Sequence, residues 1–106
     1  MTKMTQHNPV RVAINGYGVI GKRVASAVRA QTDMRLAGVV DIAADWRLRP
    51  LEEQGVDLYA ATPEHVAPMR AAGLRIAGTM DALLGKADVV VDCTPKRIAA
   101  KNAEIY

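Results

Sequence analysis

The sequence contains no phenylalanine, one tryptophan and three tyrosines, so it offers no row of aromatic platforms on which bases could stack. It contains a single cysteine, Cys93, which excludes an internal disulfide framework and fits a reducing compartment. Charge of one sign is also scarce. Fourteen basic residues stand against eleven acidic ones, spread along the chain, and the net charge of +3 is too mild to argue for nucleic acid or an anionic membrane surface. No apolar run is long enough to span a bilayer, and the opening "MTKMTQHNP" lacks the apolar centre of a signal peptide. The chain therefore reads as cytoplasmic, with a flexible start over residues 1–9. His7 and His65 are the two histidines, and neither has a metal-ligand partner at useful spacing.

Half of the 106 residues are hydrophobic and a quarter are charged, the composition of one folded domain. "VRVAI" (10–14) is a short β-branched strand ending in Asn15-Gly16. From Val19 to Ala30 the apolar residues recur at helical spacing. "LAGVVD" (36–41) reads as a second strand. After it come an irregular stretch and a short helix with Pro50 in its first turn and Gly55 as its stop. "VDLYAA" is a strand, and "TPEHVAPMRAAG" a helix capped by Thr62 and ended by Gly73, which Pro68 should kink or shorten. "LRIAG" is a strand, "TMDALLGKA" a short helix and "DVVVDC" a buried strand. "TPKRIAAKNAEIY" opens a last helix on the same Thr-Pro step and shows no stop before Tyr106. Strands alternating with helices predict a doubly wound parallel α/β sheet, here one that stops before its last strands.

The segment Gly16-Tyr17-Gly18-Val19-Ile20-Gly21 is G-x-G-x-x-G, set between the first strand and the first helix. Gly16 allows the tight turn, Gly18 lets backbone approach a pyrophosphate, and Gly21 lets the helix pack closely on the strand. The N–H groups of Val19, Ile20 and Gly21 would then face the phosphates. Asp41 ends the second strand twenty residues beyond Gly21, the spacing expected of a carboxylate that accepts from the adenosine ribose hydroxyls. This is the fingerprint of a Rossmann-type dinucleotide site over residues 10–106. A carboxylate at Asp41 favours NAD and repels the 2′-phosphate of NADP. Arg47 and Arg49, in the following stretch, are the alternative that would admit NADP.

The turn Asp92-Cys93-Thr94-Pro95 ends the fifth strand and should meet the same crevice, with Thr94 as helix cap and as a lining residue on the ribose or nicotinamide side. Cys93 has no histidine placed beside it by the sequence and reads as a small packed residue rather than a nucleophile. Trp46 reads either as a flank for an adenine or as partly buried. Lys22 and Arg23 read either as charge near the phosphates or as a solvated helix face.

"VAINGYGVIGKRVASAV", "GVDLYAATPEHV", "AGLRIAGTMDALLGKADVVVDCTP" and "AKNAEIY" together resemble the archaeal-type (type II) glyceraldehyde-3-phosphate dehydrogenases, from Val10 to Tyr106. The resemblance implies an NAD(P)-dependent, phosphorylating oxidation of glyceraldehyde 3-phosphate to 1,3-bisphosphoglycerate by a homotetramer. It centres the cofactor contact on Val19 and Ile20, with Thr94 and Pro95 close by. Val19 departs from the threonine usual in that family, which removes a hydroxyl and keeps the backbone N–H. Asp41 departs from the lysine or other non-acidic residue of many members, which points to NAD. The family's catalytic cysteine, in a Ser-Cys-Asn-Thr setting, has no counterpart, and Cys93 matches a position that is commonly alanine. The resemblance thus implies a cofactor-binding segment without catalytic residues, inactive by itself. Two other readings stay open: a stand-alone nucleotide-binding module completed by a partner chain, and a reductase of the dihydrodipicolinate type, against which "DLYAATPEHV" and "AKNAEIY" count.

Overall fold

The structure is a computed structural model that describes residues 9–42 and 48–106. His7, Trp46, Arg47 and, of the start over residues 1–9, all but Pro9 lie outside the described residues. Ten elements alternate along the chain: β1 (Val10–Asn15), α1 (Val19–Arg29), β2 (Met34–Asp41), α2 (Arg49–Glu53), β3 (Leu58–Ala60), α3 (Pro63–Ala71), β4 (Ile76–Thr79), α4 (Met80–Leu84), β5 (Val89–Asp92) and α5 (Lys96–Asn102).

All five strands pair in parallel, in the order β4-β3-β2-β1-β5. The chain winds outward from β1 through β2, β3 and β4, then crosses back so that β5 pairs on the other side of β1. The order therefore reverses beside β1, and the crevice at the carboxyl ends of β1 and its neighbours is where an open α/β sheet takes its ligand. Apolar side chains fill both faces. On one, Ile14, Val39 and Leu58 of the strands pack with Ala25, Leu51 and Met69 from α1, α2 and α3. On the other, Ala13, Val40 and Tyr59 pack with Met80 and Leu83 from α4. This is the doubly wound, Rossmann-like arrangement that the alternation predicts.

Four local expectations are corrected. Pro68 does not shorten α3, which runs on to Ala71, although it deprives the helix of one backbone bond. The fully buried Met69 next to it anchors the last turn, which closes at Gly73 with Leu74 N–H bonding Met69 O at 3.2 Å. β5 is not a buried strand: it is an edge of the sheet, and Val89 is 46% exposed. α5 does not run to Tyr106 but ends at Asn102, after which bonds from Ile105 and Tyr106 N–H to Asn102 O fold the chain into a turn. The Thr-Pro steps also differ. Thr62 stands at the N-cap of α3, whereas in α5 the N-cap is Pro95 and Thr94 lies one residue outside.

Candidate dinucleotide-binding site

The strand-to-helix turn after β1 is made of backbone. Gly16 has φ +95°, a left-handed conformation that side chains disfavour. A Cβ there would also meet the Cys93 carbonyl group at 3.1 Å and the Thr94 methyl at 3.2 Å. A Cβ on Gly21 would collide with the Gly16 carbonyl oxygen, so α1 can sit this close only on a glycine. Gly18, between them, is different. Among the described residues nothing lies within 4 Å of a Cβ built on it, and its φ of −88° is ordinary.

The first intrahelical bond of α1 is Lys22 N–H to Gly18 O, at 2.9 Å. The N–H groups of Val19, Ile20 and Gly21 come before it and have no carbonyl to reach within the helix. No side chain caps Gly18, and no acid stands in the first turn. The positive end of the helix dipole therefore faces the crevice uncompensated by the helix's own residues. Val19 and Ile20 are 69% and 61% exposed and form an apolar rim around it.

Asp41 lies on the β2 side of this turn. Its Oδ2 accepts the Tyr17 N–H at 2.9 Å and its Oδ1 the Ile42 N–H at 2.6 Å. The carboxylate is thus held directly beside the glycine loop. The Tyr17 ring packs against the core, and burial pushes its phenol up, with Arg29 opposing. Below the loop, α1 and α2 enclose a cavity of about 470 Å³ lined in part by Tyr17, Gly18, Lys22, Arg29 and Gln54. Arg49 is not at this site. It donates to the Ala72 carbonyl, at 3.2 Å, at the end of α3.

The β5 side of the crevice is built from side chains. Cys93 N–H bonds Asn15 O at 2.8 Å, which continues the β1–β5 pairing into the turn and brings Thr94 against Gly16. Asp92 Oδ1 accepts the Thr94 N–H at 2.8 Å and also the Thr94 hydroxyl. Asp92 Oδ2 accepts from Asn102 Nδ2 at 3.1 Å and from the Tyr106 hydroxyl at 2.5 Å. The same hydroxyl accepts from Asn15 Nδ2 at 2.8 Å. Asn15 is only 3% exposed and its amide also reaches the Met80 sulfur at 3.4 Å, so this buried amide is partnered. Thr94 therefore braces the turn through Asp92 instead of capping α5.

Burial alone would push the Asp92 carboxyl up, but the bonds from Thr94, Tyr106 and Asn102 outweigh it and hold the group below its usual range. Cys93 packs against the first core face. Burial, and then the Asp92 charge, push its thiol up, away from the thiolate that a nucleophile needs. His65 is engaged too, with Nδ1 2.7 Å from the Thr62 hydroxyl. Sequence reasoning placed Thr94 and Pro95 at the crevice but missed Asn15, Asn102 and Tyr106. A polar residue ending each of two adjacent parallel strands was the signal available.

The family described as "Dihydrodipicolinate reductase, N-terminus" matches residues 10–106, nearly the whole chain. The match includes "DLYAATPEHV" and "AKNAEIY", so those segments do not set the chain apart from that family. Proteins named glyceraldehyde-3-phosphate dehydrogenase are also similar. The one from Methanothermus fervidus is 50% identical over 95 residues, 90% of this chain and 28% of the relative. That from Methanobacterium bryantii is 53% identical over 93 residues, 88% of this chain and 28% of the relative. That from Pyrococcus abyssi is 44% identical over 97 residues, 92% of this chain and 29% of the relative. The chain spans less than a third of the length of these relatives. No helix among the described residues is long and apolar enough to cross a membrane. The parallel sheet, the glycine turn at its switch point and these matches agree: the chain belongs to the dihydrodipicolinate reductase N-terminal family of Rossmann-like domains, and it resembles a segment of glyceraldehyde-3-phosphate dehydrogenases.

Proposed function

We propose that residues 10–106 are the cofactor-binding segment of an NAD-dependent, phosphorylating glyceraldehyde-3-phosphate dehydrogenase, cytoplasmic and assembled as a homo-oligomer, a tetramer by the resemblance. The observation that carries this reading is the open space over Gly18, bordered by the N–H groups of Val19, Ile20 and Gly21. A pyrophosphate there would accept from those groups, with the helix dipole behind them. Asp41 would accept from the adenosine ribose hydroxyls and repel a 2′-phosphate, which favours NAD over NADP. Gly16 and Tyr17 would shape the loop, and Thr94 and Pro95 would line the nicotinamide half. A nicotinamide dinucleotide held in this way supplies a hydride acceptor. This chain's residues bind and orient it. None of them matches the family's Ser-Cys-Asn-Thr nucleophile, so the chain alone is expected to bind cofactor without turnover. A second reading, a nucleotide-binding module that works with a partner chain, is favoured by β5 forming an edge of the sheet on which Val89 is 46% exposed.

Gly18→Val tests the site. The position has an ordinary φ and open surroundings, so the variant should fold as the parent does. Its branched side chain would fill the space over the loop, and NAD affinity measured by calorimetry should fall at least about tenfold, roughly 1.4 kcal/mol. A folded variant with parental affinity would move the cofactor elsewhere.

A further inference from the structure

Two carboxylates flank the glycine loop, one on each side of β1. Asp41 ends β2, Asp92 ends β5, and Asn15 pairs with the strand on either side of it. Adjacent strands stand about 4.8 Å apart, so the strand ends that carry the two acids lie roughly 10 Å apart. The cofactor reading above uses Asp41 and gives Asp92 no part.

Asp92 is unusual in its partners. Its oxygens take the Thr94 N–H and hydroxyl, the Asn102 amide and the Tyr106 hydroxyl. These donors are all neutral, and among the described residues Asp92 forms no ion pair. Hydrogen bonds from neutral groups favour the ionised form without cancelling its charge. The result is a fixed anion, half-buried, at the β5 end of the crevice.

A dinucleotide whose adenosine ribose meets Asp41 and whose pyrophosphate lies over Gly18 leaves its nicotinamide half on the β5 side. The oxidised nicotinamide ring carries a positive charge, and the reduced ring is neutral. We infer that Asp92 determines redox-state specificity at this site: its uncancelled carboxylate favours the oxidised over the reduced dinucleotide. The inference rests on the dinucleotide reading. Asp92 acts through space on the bound ring and, through Thr94, as a positioning residue for the turn. One unit charge at about 10 Å and an effective dielectric near 20 changes an affinity by roughly tenfold.

The test is the ratio of dissociation constants for NADH and NAD⁺ on the full 106-residue chain, by fluorescence and calorimetry at low ionic strength. Asp92→Asn keeps the shape and an acceptor for Thr94 while removing the charge. It should lower the ratio roughly fivefold to tenfold, through weaker NAD⁺ binding with NADH nearly unchanged. Added salt should lower the parental ratio in the same sense. Thr94→Val loosens the same turn and keeps the charge, so it should weaken both forms alike. If both forms bind and the ratio is the same in Asp92→Asn, the inference is overturned and the dinucleotide reading stands. If Asp92→Asn does not fold, a parental ratio indifferent to salt overturns it equally. If the parental chain binds neither form, the dinucleotide reading fails, and the inference with it.

Discussion

At the end of β1 the chain turns into α1 on glycine backbone, with φ +95° at Gly16 and α1 seated against the Gly16 carbonyl through the missing side chain of Gly21. At the end of β5, a few ångströms away, the turn into α5 is held by side chains: Asp92 gathers Thr94, Asn102 and Tyr106, and Tyr106 gathers Asn15. The first turn leaves the N–H groups at the start of α1 without intrahelical partners, and among the described residues nothing lies within 4 Å of a Cβ built on Gly18. The second leaves its donors consumed and a carboxylate charge behind. The two sides of one crevice thus differ in what they can offer a ligand. The glycine side offers donors to an anion, and the Asp92 side offers negative potential to a cation. A ligand that is anionic in the middle and cationic at one end matches both.

Three further measurements probe this contrast. The largest effect is expected at Gly21→Ala, whose methyl group would collide with backbone rather than with a movable side chain. Stability in urea should fall by about 3 kcal/mol, and a negligible loss would mean that α1 is not seated as closely as described. On the side-chain-built turn, Tyr106→Phe removes one hydroxyl that serves two hydrogen bonds and should cost at most about 1 kcal/mol. Burial, and then the hydrogen bond to Asp92, push the Tyr106 phenol up to about 12. An unfolded tyrosine ionises near 10. The stabilisation is therefore complete below about pH 10 and is lost as pH rises toward 12. Ultraviolet titration of the phenols should show a late step that disappears in Tyr106→Phe. A titration unchanged by the substitution would remove Tyr106 from the network.

The smallest effect belongs to the amino-terminal end of the same two strands. There Arg11 bridges to Asp88 at 3.0 Å in an exposed pair, and the Asp88 carboxyl is lowered to about 2, first by the Arg11 side-chain hydrogen bond and then by the Arg11 backbone N–H. The folded value lies below the unfolded one, near 3.9. The pair's contribution is thus present above about pH 4 and lost as pH falls toward 2. Asp88→Asn should flatten the acid limb of the urea midpoint between those limits, and a limb of equal slope would show that the pair adds nothing to the β1–β5 pairing.

Much of the glycine side was legible in the sequence. Each requirement there is local: a tight turn, an open approach and a close helix seat fall at fixed spacings, and Asp41 follows at the distance that one helix and one strand impose. The Asp92 side was read only in part. The sequence puts its turn at the crevice, but there Thr94 reads as the cap of a helix that Pro95 caps instead. In the sequence Asn15 reads only as a strand end, and Tyr106 as the tail of a helix that in fact stops at Asn102. Tyr106 lies fourteen residues from Asp92 and ninety-one from Asn15, so no local pattern connects them. β5 shows the same limit. Three consecutive valines read as a buried strand, yet whether a strand is central or at an edge depends on sheet order.

By itself, the sequence determined the alternation of strands and helices, the parallel sheet, the glycine turn and the acid that ends β2. These follow from backbone geometry and from spacings within one βαβ unit. Only the tertiary structure decided that β5 returns beside β1, that Asp92 is held by neutral hydrogen-bond donors, and that Asn15 and Tyr106 join it. Those facts depend on which strand ends lie side by side. The order β4-β3-β2-β1-β5 brings residues from the two ends of the chain into hydrogen-bonding distance, and no spacing along the sequence expresses that order.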